Sequence, residues 1–292
     1  MPESKDLTGT VIENRFEIIS GLGEGGMASV FKAKHQQVDL LVAIKILKKE
    51  LDFSPTEIER LKREARALNS LFHPNIVKVY SFGFMDDGSP YIVLDYLEGK
   101  SLEEIILSGQ RPGLDWILEA FMQICRGLSC AHEGGLIHRD LKPSNVMIVP
   151  KEEDGSFIKI LDFGISRSTS AGDNEQRLTA KGEIFGSPLY ISPEQLSGKE
   201  IDQRADIYSL GCLMYETLTG RPPFLGDTVF LTLMQHMNEK AKAINEIDPN
   251  LKMPEGLEEI VMKCMEKQAS ARFQSAEELE KALAQCAAGL QI

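Results

Sequence analysis

The chain changes its hydrophobic period near residue 100, and that change constrains its architecture more than any other feature. Before it, apolar residues come in short runs rich in β-branched and aromatic types: FEIISGLG (16–23), ASVFKAKH (28–35), LLVAIKIL (40–47), IVKVYSFGFM (76–85) and SPYIVLDYL (89–97). A glycine cluster, the polar HQQVD and Asp86-Asp87-Gly88 separate them, the last being a hairpin turn signal. These runs predict five antiparallel strands. One helix interrupts them. Ser54-Pro55-Thr56-Glu57 supplies an N-cap serine, a proline at the first helical position and a glutamate placed for a capping box. Ile58, Leu61, Ala65 and Leu68 then recur at helical spacing. Glu64 falls on the same stripe, which leaves two readings open: a rim glutamate, or an inward carboxylate that needs a charged partner.

From about residue 100 the period is helical. DWILEAFMQICRGLSCAH is closed by Gly134-Gly135, and ADIYSLGCLMYETLTG, TVFLTLMQHM, LEEIVMKCM and SAEELEKALAQC follow. The last opens on Ser275 with Glu278 in capping-box position. Between the first two helices lie two short strands, NVMIVP and SFIKIL, turning at Asp154-Gly155. The expected fold is α+β with two lobes: a five-stranded antiparallel N-lobe with one helix over 16–97 and a mainly helical C-lobe over 98–287. Residues 1–15 read as an N-terminal extension and 288–292 as a tail.

Bulk chemistry excludes several classes. A net charge of −12 disfavours nucleic acid and anionic membrane as partners, since both require a basic field. Five cysteines without C-x-x-C spacing argue against a zinc site or a disulfide framework, and read as buried small hydrophobes plus one tail cysteine. No apolar run reaches the roughly 20 residues of a membrane helix, and MPESKDLTGT has no apolar core of a signal peptide. The expected location is cytoplasmic, either as a free domain or as the cytoplasmic part of a longer membrane-anchored protein.

Residues 21–30 read GLGEGGMASV and fit a phosphate-cradling motif in two registers. Gly21, Gly23 and Gly26 fit G-x-G-x-x-G. Gly23 and Gly25, with Ala28 and Val30, fit G-x-G-x-x-G-x-V with its last glycine replaced. A dinucleotide-binding fold would need a βαβ unit after this loop, and the sequence gives a β-hairpin instead.

Further along, His138-Arg139-Asp140-Leu141-Lys142-Pro143-Ser144-Asn145 is H-R-D-L-x-x-x-N, and Asp162-Phe163-Gly164 follows the strand FIKIL. Val42-Ala43-Ile44-Lys45 is V-A-I-K, and Ser192-Pro193-Glu194 stands where A-P-E would. This ordered set resembles the eukaryotic-type protein kinase family over nearly the whole chain, from about Phe16 to about Cys286. HRDLKPSN is similar to the serine/threonine branch, and GEGGM and SPEQ to bacterial members. The resemblance chooses between the glycine registers: the family's valine precedes the lysine by about fifteen residues, as Val30 precedes Lys45.

The resemblance implies ATP and Mg²⁺ (or Mn²⁺) as cofactors and protein Ser/Thr hydroxyls as acceptors. Lys45 would hold the α- and β-phosphates with Glu64 as its partner. Asp162 and Asn145 would bind the metal, Asp140 would orient the acceptor hydroxyl, and Lys142 would neutralise the γ-phosphate. The loop Leu22, Gly23, Glu24, Gly25 and Gly26 would cover the phosphates. Adenine would meet Val30, Ala43, and Met147 or Ile160, with Leu94 guarding the pocket and the backbones of Asp95 and Leu97 bonding its edge. Ser101 falls where many kinases place an acidic ribose contact. Leu68, Val79, His138 and Phe163 match the family's apolar spine, while Asp206 and the Glu194–Arg272 pair match its structural anchors. The polar stretch from Ser166 to Gly182 would be a mobile loop, and the segment between Asp162 and Glu194 a phosphorylation switch with Thr179 as the favoured site, its phosphate gripped by Arg139. Ser187 would help select hydroxyl substrates, and a transient homodimer would serve trans-autophosphorylation. A nucleotide-binding relative without transfer activity is the rival reading. Here the lysine, both aspartates and the asparagine are all present.

Overall fold

The computed structural model describes residues 7–49, 53–151, 155–163 and 188–289. The chain divides into two compact units: one comprising 1–72 and 77–98, the other 73–76 and 99–292. The short segment 73–76, expected within the first lobe, thus belongs to the second.

The first unit holds a six-stranded sheet in the order β1-β2-β3-β4-β6-β5, all neighbours antiparallel. The strands are β1 Val11–Ile12, β2 Phe16–Glu24, β3 Ala28–His35, β4 Leu40–Leu47, β5 Val79–Phe84 and β6 Pro90–Asp95. Five coincide with the expected runs, and β1 is additional. It comes from the segment expected to be an extension. Glu13 and Asn14 turn in left-handed conformations (φ 51° and 52°), which folds Ile12 back onto Phe16. Ile12 then joins an apolar cluster with Phe16, Ile18, Ala33, Val42, Ile44, Ile46, Tyr91 and Val93. Helix α1 (Pro55–Ser70) begins on the expected capping box, with Ser54 Oγ accepting from the Glu57 amide and Glu57 accepting from the Ser54 amide. Leu61, Ala65 and Leu68 are buried along it, and it packs on β5.

The second unit is mainly helical and carries a small sheet, β7 (Lys100–Ser101), β8 (Val146–Lys151) and β9 (Gly155–Ile160), in that order. Its helices are α2 (Leu102–Leu107), α3 (Leu114–Glu133), α4 (Pro193–Leu196), α5 (Arg204–Thr219), α6 (Val229–Asn238), α7 (Ile244–Ile247), α8 (Leu257–Cys264) and α9 (Ala276–Ala288). Helix α5 is buried at every position from Ala205 to Thr219, so the unit is built around it. It ends at Gly220, whose left-handed φ of 73° is the conformation a helix-closing glycine supplies. At α9 only half of the expected capping box forms. Ser275 accepts from the Glu278 amide, but Glu278 accepts from the Gln274 amide in place of Ser275's. The cysteine expected in a tail, Cys286, is buried on α9, and Cys130 is the partly exposed one. Among the described residues no helix is long and apolar enough to cross a membrane.

Candidate active site

In the first unit, strand register brings the expected nucleotide residues together. Val30 lies opposite Lys45, Lys45 opposite Ile92, and Ala43 opposite Leu94. Residues paired across neighbouring strands, and residues two apart along one strand, share a face. Val30, Ala43, Lys45 and Leu94 therefore lie on one face of the sheet. Val42, Ile44 and Ile46 point the other way, into the apolar cluster. Glu64 is half-buried on α1, between the buried Leu61 and Leu68, and its Oε2 is withdrawn from solvent.

The glycine turn is closed by the Gly25 amide donating to Ala28 O at 2.8 Å. None of Gly21, Gly23, Gly25 and Gly26 has a positive φ. A Cβ would meet nothing within 4 Å at Gly21, Gly23 or Gly26, and at Gly25 only Ala28 O at 3.6 Å. The fold of this chain does not itself require glycine at these positions, and what they provide is unobstructed backbone. Ala28 in place of the family's third glycine is buried at the start of β3 and carries no conformational penalty. Leu22 is exposed, and Glu24 pairs with Lys48 at 2.8 Å. At the end of β6, Asp95 donates its amide to Lys78 O at 3.0 Å, so a ligand contact there falls to its carbonyl. Leu97 lies just beyond this strand and is half-buried.

In the second unit, hydrogen bonds to buried groups replace register. Asp206, wholly buried on α5, accepts from the His138 amide (2.8 Å), the Arg139 amide (2.8 Å) and His132 Nε2 (2.7 Å). Burial pushes this carboxyl upward, but the hydrogen bonds from His132 and from the His138 amide hold it below the usual carboxylate range. His138 donates from Nε2 to Leu161 O at 2.8 Å and accepts at Nδ1 from the Asp140 amide at 3.2 Å. These partners select the tautomer with the proton on Nε2. The His138 ring packs on Phe163 at 4.7 Å between centroids, so its role is structural, as the sequence suggested. Arg139 and Asp162 both adopt left-handed backbone, φ 63° and 53°, strained for residues with a side chain.

Three expected site residues meet in this loop. Lys142 Nζ lies 3.1 Å from Asp140 Oδ2. Asn145 closes a 3-10 turn, Pro143–Asn145, and donates from Nδ2 to Asp140 O at 2.9 Å, which leaves its Oδ1 as a ligand atom. The hairpin β8–β9 brings in the fourth. Val146 pairs with Ile160, and the Leu161 amide donates to Asn145 O at 2.8 Å, so Asp162 follows directly beside Asn145. Met147, opposite Lys159, is half-buried on β8. Among the described residues no cluster of three or more His, Cys, Asp or Glu could hold a metal unaided. One asparagine and one carboxylate suit Mg²⁺, which is commonly held by one or two protein oxygens together with substrate phosphates.

Sequence reasoning missed Gln195 and His132. Gln195 accepts from Ser192 and donates to Arg139 O at 2.8 Å, tying α4 to the loop that carries Asp140. The spacing Ser192-x-x-Gln195 was a legible capping box. Ser101, at the position where many kinases place an acidic ribose contact, caps α2, its hydroxyl accepting from the Glu104 amide at 3.1 Å and donating to Glu104 Oε2 at 2.9 Å. Both hydrogen-bonding capacities of that hydroxyl are used locally. Arg272 is fully buried and spends its five N–H groups on Glu194 Oε1 and Oε2 and the carbonyls of Arg204, Glu266 and Lys267. Gly164, the stretch from Ser166 to Gly182 with Thr179, and Ser187 lie outside the described residues.

Comparison with known proteins agrees with this geometry. The family model described as protein kinase domain matches residues 16–283. The chain is 39% identical to a probable serine/threonine-protein kinase of Streptomyces coelicolor, covering 94% of this chain and 40% of that one. It is 33% identical to the serine/threonine-protein kinase pkn3 of Myxococcus xanthus, covering 94% and 50%. The chain thus spans half or less of the length of these curated relatives. Among solved structures, the PknI kinase domain of Mycobacterium tuberculosis superposes with a TM-score of 0.75 at 23% identity, covering 96% of this chain and 98% of that one. Rad53 in complex with AMP-PNP gives a TM-score of 0.74 at 26% identity over 91% of this chain and 64% of that one. The register-built face of the first unit, the loop organised by Asp206 in the second and the match over 16–283 lead to one assignment: the chain belongs to the protein kinase domain family.

Proposed function

We propose that this chain transfers the γ-phosphate of ATP to serine and threonine hydroxyls of proteins, itself included. The observation that carries the reading is the loop in which Asp140, Lys142 and Asn145 converge, with the Asp140–Lys142 pair at 3.1 Å and the Asn145–Asp140 bond at 2.9 Å. Asp140 sits where a carboxylate can orient an incoming hydroxyl and accept its proton. Lys142 beside it balances negative charge on the transferring group, as phosphoryl transfer demands. Asn145 Oδ1 and the Asp162 carboxylate are the atoms that would hold Mg²⁺ or Mn²⁺; a bound divalent ion neutralises phosphate charge. On the first unit, Lys45 would bind phosphate oxygens with Glu64 as its counter-charge. Val30, Ala43 and Leu94 supply the apolar face for adenine, and Asp95 and Leu97 the backbone groups for its edge. The backbone of Leu22 to Gly26, with open space around its glycines, suits phosphate. Met147 is proposed as a further adenine contact. The AMP-PNP in the Rad53 structure supports an adenine nucleotide as ligand. The pairing of names among the relatives supports serine and threonine as acceptors.

The test is phosphate transfer from labelled ATP by the purified chain. Asp140→Asn should lower the rate on the order of a hundredfold or more, with nucleotide affinity retained. Wild-type transfer by that variant would overturn the assignment of Asp140.

A further inference from the structure

We infer that Tyr80, outside every expected site, positions the hinge backbone at Asp95 and thereby sets the preference for adenine; the inference rests on the kinase reading above. Three observations converge on this residue. The pairing of β5 with β6 runs Val79 to Leu94 and then Ser81 to Val93, so Tyr80 is the extra residue of a bulge. A bulge re-aims the side chain it carries. That side chain donates its hydroxyl to Asp95 Oδ1 at 2.6 Å. The backbone beside it is fixed as well, because the Asp95 amide donates to Lys78 O at 3.0 Å. Asp95 is thus held twice from one three-residue stretch, by its side chain through Tyr80 and by its amide through Lys78.

Tyr80 is itself held in place. The Lys78 ammonium lies 4.9 Å from its ring centroid. Burial and the bond to Asp95 push the phenol up to about 12, so it remains a donor through the neutral range. On the other flank, the neighbouring Leu94 is fixed opposite Ala43 on β4, on the face proposed for adenine. What stays available at Asp95 for a ligand is its carbonyl, an acceptor. A purine with a 6-amino group offers it a donor, and a purine with a 6-oxo group offers it another acceptor. Clamping Asp95 at two points fixes the direction of that carbonyl before a nucleotide arrives, which reduces the ordering cost of binding.

The experiment compares ATP with ITP, whose base carries oxygen in place of the 6-amino group, on the purified chain with Mg²⁺. Dissociation constants come from calorimetry, and KM and kcat from transfer assays. Tyr80→Phe should weaken ATP binding and raise its KM about three- to tenfold, the range of one ordinary hydrogen bond, because the lost bond acts on the ligand only through backbone position. Its kcat at saturating ATP and its affinity for ITP should not change, so discrimination between the two nucleotides falls. Asp95→Asn keeps an acceptor for the Tyr80 hydroxyl and should retain the wild-type preference, whereas Asp95→Ala should reproduce Tyr80→Phe. An equal loss for ATP and ITP would mean that Tyr80 only steadies the sheet, and no loss at all that the clamp is idle; either result overturns the inference while wild-type transfer leaves the kinase reading standing. A wild type with no preference for ATP over ITP would remove the hinge assignment itself.

Discussion

Val30, Ala43, Lys45 and Leu94 share a face because antiparallel register places them there. Asp140, Asn145 and Asp162 stand on irregular backbone, with left-handed φ at Arg139 and Asp162. The first arrangement is a by-product of ordinary sheet formation: alternate residues enter the apolar cluster, and the rest inherit the opposite face. The second would not persist without the groups that hold it, the buried Asp206 and the half-buried Gln195 of α4. Regular structure thus presents one set of functional groups through hydrophobic alternation. The other depends on a buried charge, Asp206, and on an amide, Gln195, each held by hydrogen bonds, an arrangement sensitive to the loss of any one partner.

The contrast can be tested with a built-in reporter. Trp116, the sole tryptophan of the chain, lies on α3 in the second unit and donates from Nε1 to Ser156 Oγ at 2.8 Å. Its fluorescence therefore follows the unit built on buried charge. The largest effect should come from Arg272→Ala, which strands Glu194 and leaves the Arg204, Glu266 and Lys267 carbonyls without their donor. Removing one partner of a buried pair typically costs about 3–5 kcal/mol, read as a lower denaturation midpoint by Trp116 fluorescence. A shift no larger than that of a surface substitution would mean that buried charge is not what secures this unit.

An intermediate effect should appear with pH. His236 on α6 is fully buried, and burial, with the nearby Lys267 charge, pushes its imidazole down to about 3. Its unfolded counterpart titrates near 6.5. Between these values the unfolded chain takes up a proton that the folded chain refuses, so stability falls as pH drops from about 6.5 toward 3. Midpoints measured near pH 7.5 and near pH 5 should differ in wild type and differ less in His236→Gln. The same slope in both proteins would assign the acid sensitivity to other groups.

Much of the first unit was legible in the sequence because it is regular. Alternation and turn residues located five strands, and Ser54 located the helix. Strand β1 escaped because two residues carry no period, and its pairing depends on consecutive left-handed residues at Glu13 and Asn14, a conformation asparagine tolerates but glutamate seldom adopts. In the second unit the motifs named the candidate site residues, and Asp206 was reached only through the family resemblance, while Gln195 and His132 were missed. The bonds from Asp206 span 67 and 68 residues. No local pattern encodes a contact at that separation. At Ser101 the sequence carried the correct signal, Ser-x-x-Glu, and the family position drew attention away from it. The smallest expected effect follows from that residue. Ser101→Ala should cost about 1 kcal/mol as a lost helix cap, seen in the fluorescence midpoint, with the KM for ATP unchanged. A raised KM would restore the ribose contact to this position.

The hairpin that joins Asn145 to Asp162 separates chain length from spatial position. Its register is fixed at the base, Val146 to Ile160, and continues to Lys151 and Gly155 at the far end. Residues added or lost beyond that far end lengthen or shorten the ribbon without moving either ligand atom. A lineage carrying this domain can therefore let the interval between the two residues proposed to hold the metal drift freely, and a protein engineer can graft an epitope or a second domain there, since insertions are best tolerated at such tips.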